Sequence, residues 1–257
     1  MRLEEVIDHN KYQISNPTFR EDSRNCFERD GVLILPGFVS NKAIEAIRAE
    51  GLHNQSKAYY CRERHNPYLM PTDPEYTSEH PRNKQVVSSK GCIADDQIPE
   101  NSALRTLYNA QVFKDYLSYV LEEEFLYPYA DEVSPINLHY AKTGQELGWH
   151  YDNSSFAITL MIQPAEEGGV FEYVRNTRDA DKGDMNFEGT KDVITGKTTP
   201  IKISLPAGAL VMFRGRNAIH RVTPNLGDTT RMLVVLAYNN SPGVAISPTA
   251  RKLFYGR

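Results

Sequence analysis

GWHYDNSSFAITLMIQ, residues 148–163, decides how the chain is read, because it runs a cluster of candidate ligands straight into a strand. The second half, Ala157–Gln163, is an apolar, β-branched run of strand length. Outward from it, similar short runs stand at Ile136–Tyr140, Val170–Tyr173, Thr199–Leu205, Ala209–Phe213 and Met232–Tyr238, separated by Gly, Pro and polar residues. Short strands at such spacing argue for a sandwich or a barrel. Leu205-Pro206-Ala207-Gly208-Ala209 reads as a tight hairpin turn, and the polar stretch 175–198 as a long excursion over the surface or a pocket.

Upstream the pattern changes. Val32–Leu35, closed by Pro36-Gly37, reads as a strand and turn, and Ser40 as the N-cap of a helix carrying Ile44 and Ile47. Ser102 caps a second helical stretch with Leu104, Leu107, Tyr108, Phe113, Tyr116, Leu117 and Val120 at helical spacing. Between them, 58–98 is rich in Pro, Ser, Asn and charge, the composition of a lid or a disordered loop. The expectation is one domain over 1–257, with a mostly helical N-terminal region and lid (1–130) and a β core (131–257).

Bulk properties remove several function classes. A net charge of −4, with 29 basic residues scattered rather than striped, leaves no footprint for nucleic acid. No apolar run approaches the ~18 residues of a membrane span, and the first residues resemble no export signal. Cys26, Cys61 and Cys92 are odd in number and widely spaced, which reads as free thiols in a reducing cytosol.

In an extended segment, residues two apart leave the same side of the chain, so His150 and Asp152 can share one metal ion while Tyr151 packs the other way. A third ligand from a distant strand, His220, completes one face of an octahedron. Two histidines and a carboxylate leave three positions open, the arrangement of non-haem Fe(II) oxygenases. Arg231 heads an apolar strand eleven residues after His220. A guanidinium at a pocket floor needs an anion, and the distal carboxylate of a 2-oxo diacid fits its fork. Taken singly, His150 could be an ordinary hydrogen-bonded histidine, Asp152 a turn residue with Asn153, His220 a loop residue and Arg231 the partner of Asp228. Their order along the chain favours the metal reading over those alternatives.

With these residues in place the chain resembles the Fe(II)/2-oxoglutarate-dependent oxygenases: GVLILPGFVSNKAIEAIRAE (31–50) is similar to their entry, and 136–240 to their core. The resemblance implies a mainly β fold with flanking helices around a double-stranded β-helix (jelly roll, cupin-like). It also implies iron at His150, Asp152 and His220, and 2-oxoglutarate at Arg231. Fe(II), 2-oxoglutarate and O2 would be the cofactors, with ascorbate sustaining turnover.

GWHYDNSSFAITLMIQ, GGVFEYVRNTR (168–178), YNNSPG (238–243) and RKLFYGR (251–257) resemble most the oxygenases that hydroxylate or halogenate free amino acids such as lysine. Halogenases of that group have Gly where Asp152 stands, so the resemblance implies hydroxylation. It also suggests Arg82, Asn153, Asn239, Asn240 and Tyr255 as substrate contacts; Leu147 replaces a His, and Tyr255 a frequent Trp, of the lysine-acting relatives. Rival outcomes are desaturation, epoxidation or cyclisation of a larger natural-product scaffold, and, outside catalysis, a cupin-like metal-binding sensor.

Overall fold

The computed structural model describes residues 1–257. Seven α-helices form: α1 (Leu3–Val6), α2 (Pro17–Asp30), α3 (Asn41–Asn54), α4 (Ala103–Asn109), α5 (Gln111–Leu121), α6 (Phe187–Ile194) and α7 (Pro248–Tyr255). The strands are β1 (Val32–Leu35), β2 (Tyr59–His65), β3 (Val86–Ile93), β4 (Tyr127–Pro128), β5 (Ile136–Ala141), β6 (Leu147–His150), β7 (Ala157–Gln163), β8 (Phe171–Val174), β9 (Ile201–Ile203), β10 (Leu210–Phe213), β11 (Ile219–Val222), β12 (Arg231–Leu236) and β13 (Tyr238–Asn239).

Eleven strands pair antiparallel in the order β1-β10-β7-β12-β5-β3-β6-β11-β8-β9, with β2 alongside β3. The sheet curls into a jelly roll, mainly β with flanking helices, as the sequence suggested; β13 and β4 form a separate small ladder. The pairing of β3 with β6, through Ser88 opposite Leu147, joins the six-strand wing to the four-strand wing. No helix is long and apolar enough to cross a membrane.

Period-two alternation sorts the six-strand wing into two faces. Leu138, Tyr140, Leu160, Met212, Met232 and Val234 are buried against α1–α5 in the larger apolar core. Their neighbours His139, Thr159, Val211, Arg231, Leu233 and Val235 face the interior of the roll.

The helices start and stop where capping chemistry directs. Asn16 accepts from Thr18 and Phe19 N–H, Pro17 occupies the first turn, and Gly31 closes α2 in the left-handed region. Ser40 caps α3 as read from sequence. The single stretch expected after Ser102 divides, because Ala110 adopts an extended conformation between α4 and α5.

Three expectations are corrected. Residues 58–98, taken for a lid or disordered loop, carry the β2–β3 hairpin, and β3 is a structural member of the main sheet. Its outer strand alternates little because it is an exposed edge (YYCRERH), so period-two hydrophobicity was absent where pairing occurs. For the same reason the N-terminal half, through residue 130, is less helical than expected. The 205–209 turn is tight, but it joins no hairpin: β9 pairs β8, while β10 lies between β1 and β7. Finally, the polar 175–198 excursion contains α6, capped by Asn186 and anchored by buried Thr190 and Val193.

Candidate metal centre

β6 and β11 run antiparallel with His150 directly opposite His220, and Asp152 follows where β6 ends. One ligand atom from each of His150, Asp152 and His220 lies within 4.8 Å of the others. Asp152 Oδ1 stands 3.8 Å from His150 Nε2 and 3.5 Å from His220 Nε2. Each imidazole is turned by its own strand: His150 Nδ1 donates to Gly148 O at 2.7 Å, and His220 Nδ1 donates to Ala218 O at 2.9 Å. A carbonyl only accepts, so the Nδ1 atoms carry protons and both Nε2 atoms are left to face the carboxylate. Such outward hydrogen bonds are how metal-ligating histidines are oriented.

The electrostatics agree. Burial, then repulsion from His220, pushes His150 down to about 3, so it is neutral. Burial alone would raise Asp152, but the His220 charge and hydrogen bond outweigh it and hold the carboxyl below its usual range. The same contact, against the opposing effect of burial, raises His220. Two imidazoles with Nε2 turned inward and a carboxylate held towards its ionised form are a donor set for a cation.

Glycines shape the surroundings. A Cβ on Gly215 would overlap the Asp152 carboxylate, and Gly215 O also accepts the Asp152 N–H at 3.1 Å. Gly169, in the left-handed region, lets Arg231 lie close; a Cβ there would stand 3.0 Å from Arg231 Cδ. Gly169 thus serves the placement of Arg231, whereas Gly168 packs against Pro224 and Leu226. Phe213 meets the His220 ring edge-on at 4.9 Å, and Phe171 lies 5.8 Å from it, so the sheet interior beside the ligands is apolar.

A cavity of about 340 Å³ opens beside the three ligands and is lined largely by hydrophobic residues. Arg231 faces it from β12. Burial pushes its guanidinium down to about 10, no carboxylate offsets that, and Nε has no hydrogen-bond partner. Asp228 does not pair with it. A buried cation without an anion is costly to keep, so the residues present fit a small anion bound beside a metal.

The five suggested substrate contacts lie elsewhere than the cavity wall. Arg82 donates to Pro71 O at 2.9 Å within its own loop. Asn153 is exposed, and its carbonyl accepts from Arg216 at 3.0 Å. Asn240 is exposed, whereas Asn239 pairs with Tyr127 and leaves its buried Nδ2 without a partner. Tyr255 is buried and donates to Asn137 Oδ1. Sequence reading missed Lys90, His139, Tyr129 and Tyr238, which do line the cavity. For His139 a signal existed: it interrupts the apolar pair Leu138 and Tyr140 and so falls on the strand face opposite theirs.

A family model described as halogenase D matches residues 15–251. No curated protein matches the chain. Among solved structures, it is similar to a non-haem α-ketoglutarate-dependent carbocyclase, SnoK, from nogalamycin biosynthesis (TM-score 0.59, 12% identity, 90% of each chain covered). It is also similar to the epimerase SnoN from the same biosynthesis (TM-score 0.58, 12% identity, 87% of this chain and 83% of that one). A 2OG-Fe(II) oxygenase-family oxidoreductase from Burkholderia pseudomallei aligns with TM-score 0.55 and 13% identity over 89% of this chain and 94% of that one. At such identities the likeness is one of fold.

Proposed function

The chain belongs to the halogenase D family, and from that footing we propose that it is an Fe(II)- and 2-oxoglutarate-dependent dioxygenase that hydroxylates an unactivated C–H bond of a small substrate. One observation carries the reading: three metal-ligand atoms and an unpartnered, buried guanidinium open onto one cavity. His150, Asp152 and His220 would hold the iron, and Arg231 the distal carboxylate of 2-oxoglutarate. When bound, iron, 2-oxoglutarate and O2 supply the oxidation of a C–H bond, with R–H, 2-oxoglutarate and O2 giving R–OH, succinate and CO2.

The chain's own residues orient and insulate. Gly148 and Ala218 carbonyls fix the two imidazoles, Gly215 leaves space for Asp152, and Phe171 and Phe213 keep water from the inner side of His220. Asp152 favours hydroxylation over halogenation despite the family's description. Its carboxylate already stands between the two histidines, in the place a halide would need.

A cavity of about 340 Å³ that must also receive 2-oxoglutarate suits a small substrate better than a multi-ring scaffold. A free amino acid stays within that class. Lysine is disfavoured, because Asp152 is the only carboxylate on the cavity wall and a side-chain ammonium would find no other counter-ion. Residues 1–257 would act as one oxygenase domain, since the helices before residue 122 complete the core beneath the sheet. The free cysteines suit a cytoplasmic setting.

The test is incubation with Fe(II), ascorbate, 2-oxoglutarate and pools of free amino acids and small organic acids, following succinate and substrate mass. Succinate release that depends on a substrate gaining one oxygen atom is the expected result. Loss of two hydrogens would indicate desaturation, and no substrate-dependent succinate in any pool would point to a metal-binding sensor.

A further inference from the structure

The cavity holds more positive charge than the iron and 2-oxoglutarate reading uses. Arg231 accounts for one cation. Lys90, on β3, faces the same cavity, and its ammonium finds no carboxylate within ion-pair distance. Its Nζ lies 3.2 Å from His139 Nε2 and 3.5 Å from Nδ1, and 5.1 Å from the centre of the Phe254 ring on α7. Burial lowers the pKa of this ammonium, opposed by Cys92, Cys61 and, least, Asp152.

His139 feels the charge of both cations. It sits on β5 opposite Leu233 of β12 on one side and Cys92 of β3 on the other. Burial, then the charges of Lys90 and Arg231, push its imidazole well below the usual histidine range. A neutral His139 can lie against the Lys90 ammonium and fix its position, without adding a third charge. Arg231 of β12 pairs with Ala141 of β5, and Lys90 of β3 directly precedes Gly91, the partner of Tyr140, so the two cations flank β5.

A partly buried ammonium held only by an imidazole and a ring face is costly to keep unless an anion joins it. Resting on the proposed function, we infer that Lys90 receives a carboxylate of the primary substrate, with His139 as its positioning residue. Leu147, Leu205, Val211, Leu233 and Val235 offer an apolar wall for the rest of that molecule. The substrate class is thus a small acid with an apolar chain, an aliphatic amino acid included, and the carboxylate is the group by which it is recognised.

The experiment uses the full chain with Fe(II) and 2-oxoglutarate under anaerobic conditions, reading the iron-to-2-oxoglutarate charge-transfer absorption. A first titration gives the Kd for 2-oxoglutarate; if no band forms, the iron and 2-oxoglutarate reading has failed before Lys90 is tested. Hexanoate, L-norleucine and hexylamine are then added to the loaded protein. A carboxylate, but not the amine, is expected to perturb the band.

Lys90→Met should weaken that carboxylate by about tenfold or more while moving the 2-oxoglutarate Kd by less than about twofold. Lys90→Arg should recover part of the loss, and an intact 2-oxoglutarate band in each variant reports that it has folded. The inference is overturned if hexylamine acts as strongly as the acids, or if neither acid perturbs the wild-type band. It is equally overturned if Lys90→Met leaves acid binding unchanged, or weakens 2-oxoglutarate instead, which would make Lys90 a second co-substrate group.

Discussion

The two faces of the six-strand wing share every backbone hydrogen bond yet obey different rules. On β12, Met232 and Val234 are 0% exposed beneath the helices, while Arg231, Leu233 and Val235 alternate with them toward the cavity. On β5, Leu138 and Tyr140 face the helices and His139 faces in. The helix face is closed by packing, so volume decides what it tolerates. The cavity face is left open and carries unpaired cations, so charge and ligand chemistry decide there. One residue of register separates a core position from a site position.

Substitutions should divide along that line. The largest effect is expected from Asp152→Ala, which should weaken Fe(II) binding about 100-fold or more and abolish hydroxylation. The melting temperature of the metal-free protein should fall only modestly, by the loss of the contact with His220 that holds this carboxyl below its usual range. Calorimetric metal titration beside a melting curve checks both halves. On the helix face, Leu160→Ala should do the reverse, costing about 2–5 kcal/mol of stability in denaturant unfolding while leaving the 2-oxoglutarate Kd in place.

Arg231→Met places an apolar chain where a lone cation is buried. It should raise the 2-oxoglutarate KM about tenfold or more, yet leave stability unchanged or slightly higher, since a well-packed apolar residue replaces an uncompensated charge. Gly215→Ala lies between the classes. The added methyl must displace the Asp152 carboxylate, so metal affinity should fall about tenfold, with a smaller change in melting temperature; an unchanged metal affinity would break the link between Gly215 and the site.

The smallest effect is protonic. Asp152 raises the pKa of His220, so below that value the protein holds a proton that a metal must expel. Metal affinity should therefore fall as pH falls through the His220 range, and binding should release protons. Calorimetry in two buffers of different ionisation enthalpy reads this directly.

Legibility in the sequence followed the same division. β5, β7, β10 and β12 could be read because alternate or continuous apolar residues mark strands buried on at least one face. The His150–Asp152 pair could be read because its spacing alone places both groups on one side, and Arg231 because a guanidinium at the head of an apolar strand is anomalous. The β2–β3 hairpin could not, since its outer strand is an exposed edge with no apolar period.

Lys90 was hidden inside that segment, where a lysine among Ser and Gly looks like a solvated loop charge. Gly215 was illegible for another reason: what forces a glycine there is the Asp152 carboxylate, far upstream in the chain and brought close only by the β6–β11 pairing. Gly169 is of the same kind. Its turn was legible, but the nearness of Arg231 was not.

The most direct measurement is an anaerobic titration of the full chain with Fe(II) and then 2-oxoglutarate, repeated for Asp152→Ala and Arg231→Met. The expected result is one iron per chain and one 2-oxoglutarate that binds tightly only when iron is present, with Asp152→Ala losing the first and Arg231→Met weakening only the second. Binding of 2-oxoglutarate that ignores the metal, or an Arg231→Met variant that binds it as the wild type does, would contradict the assignment of this face as an iron and 2-oxoglutarate site.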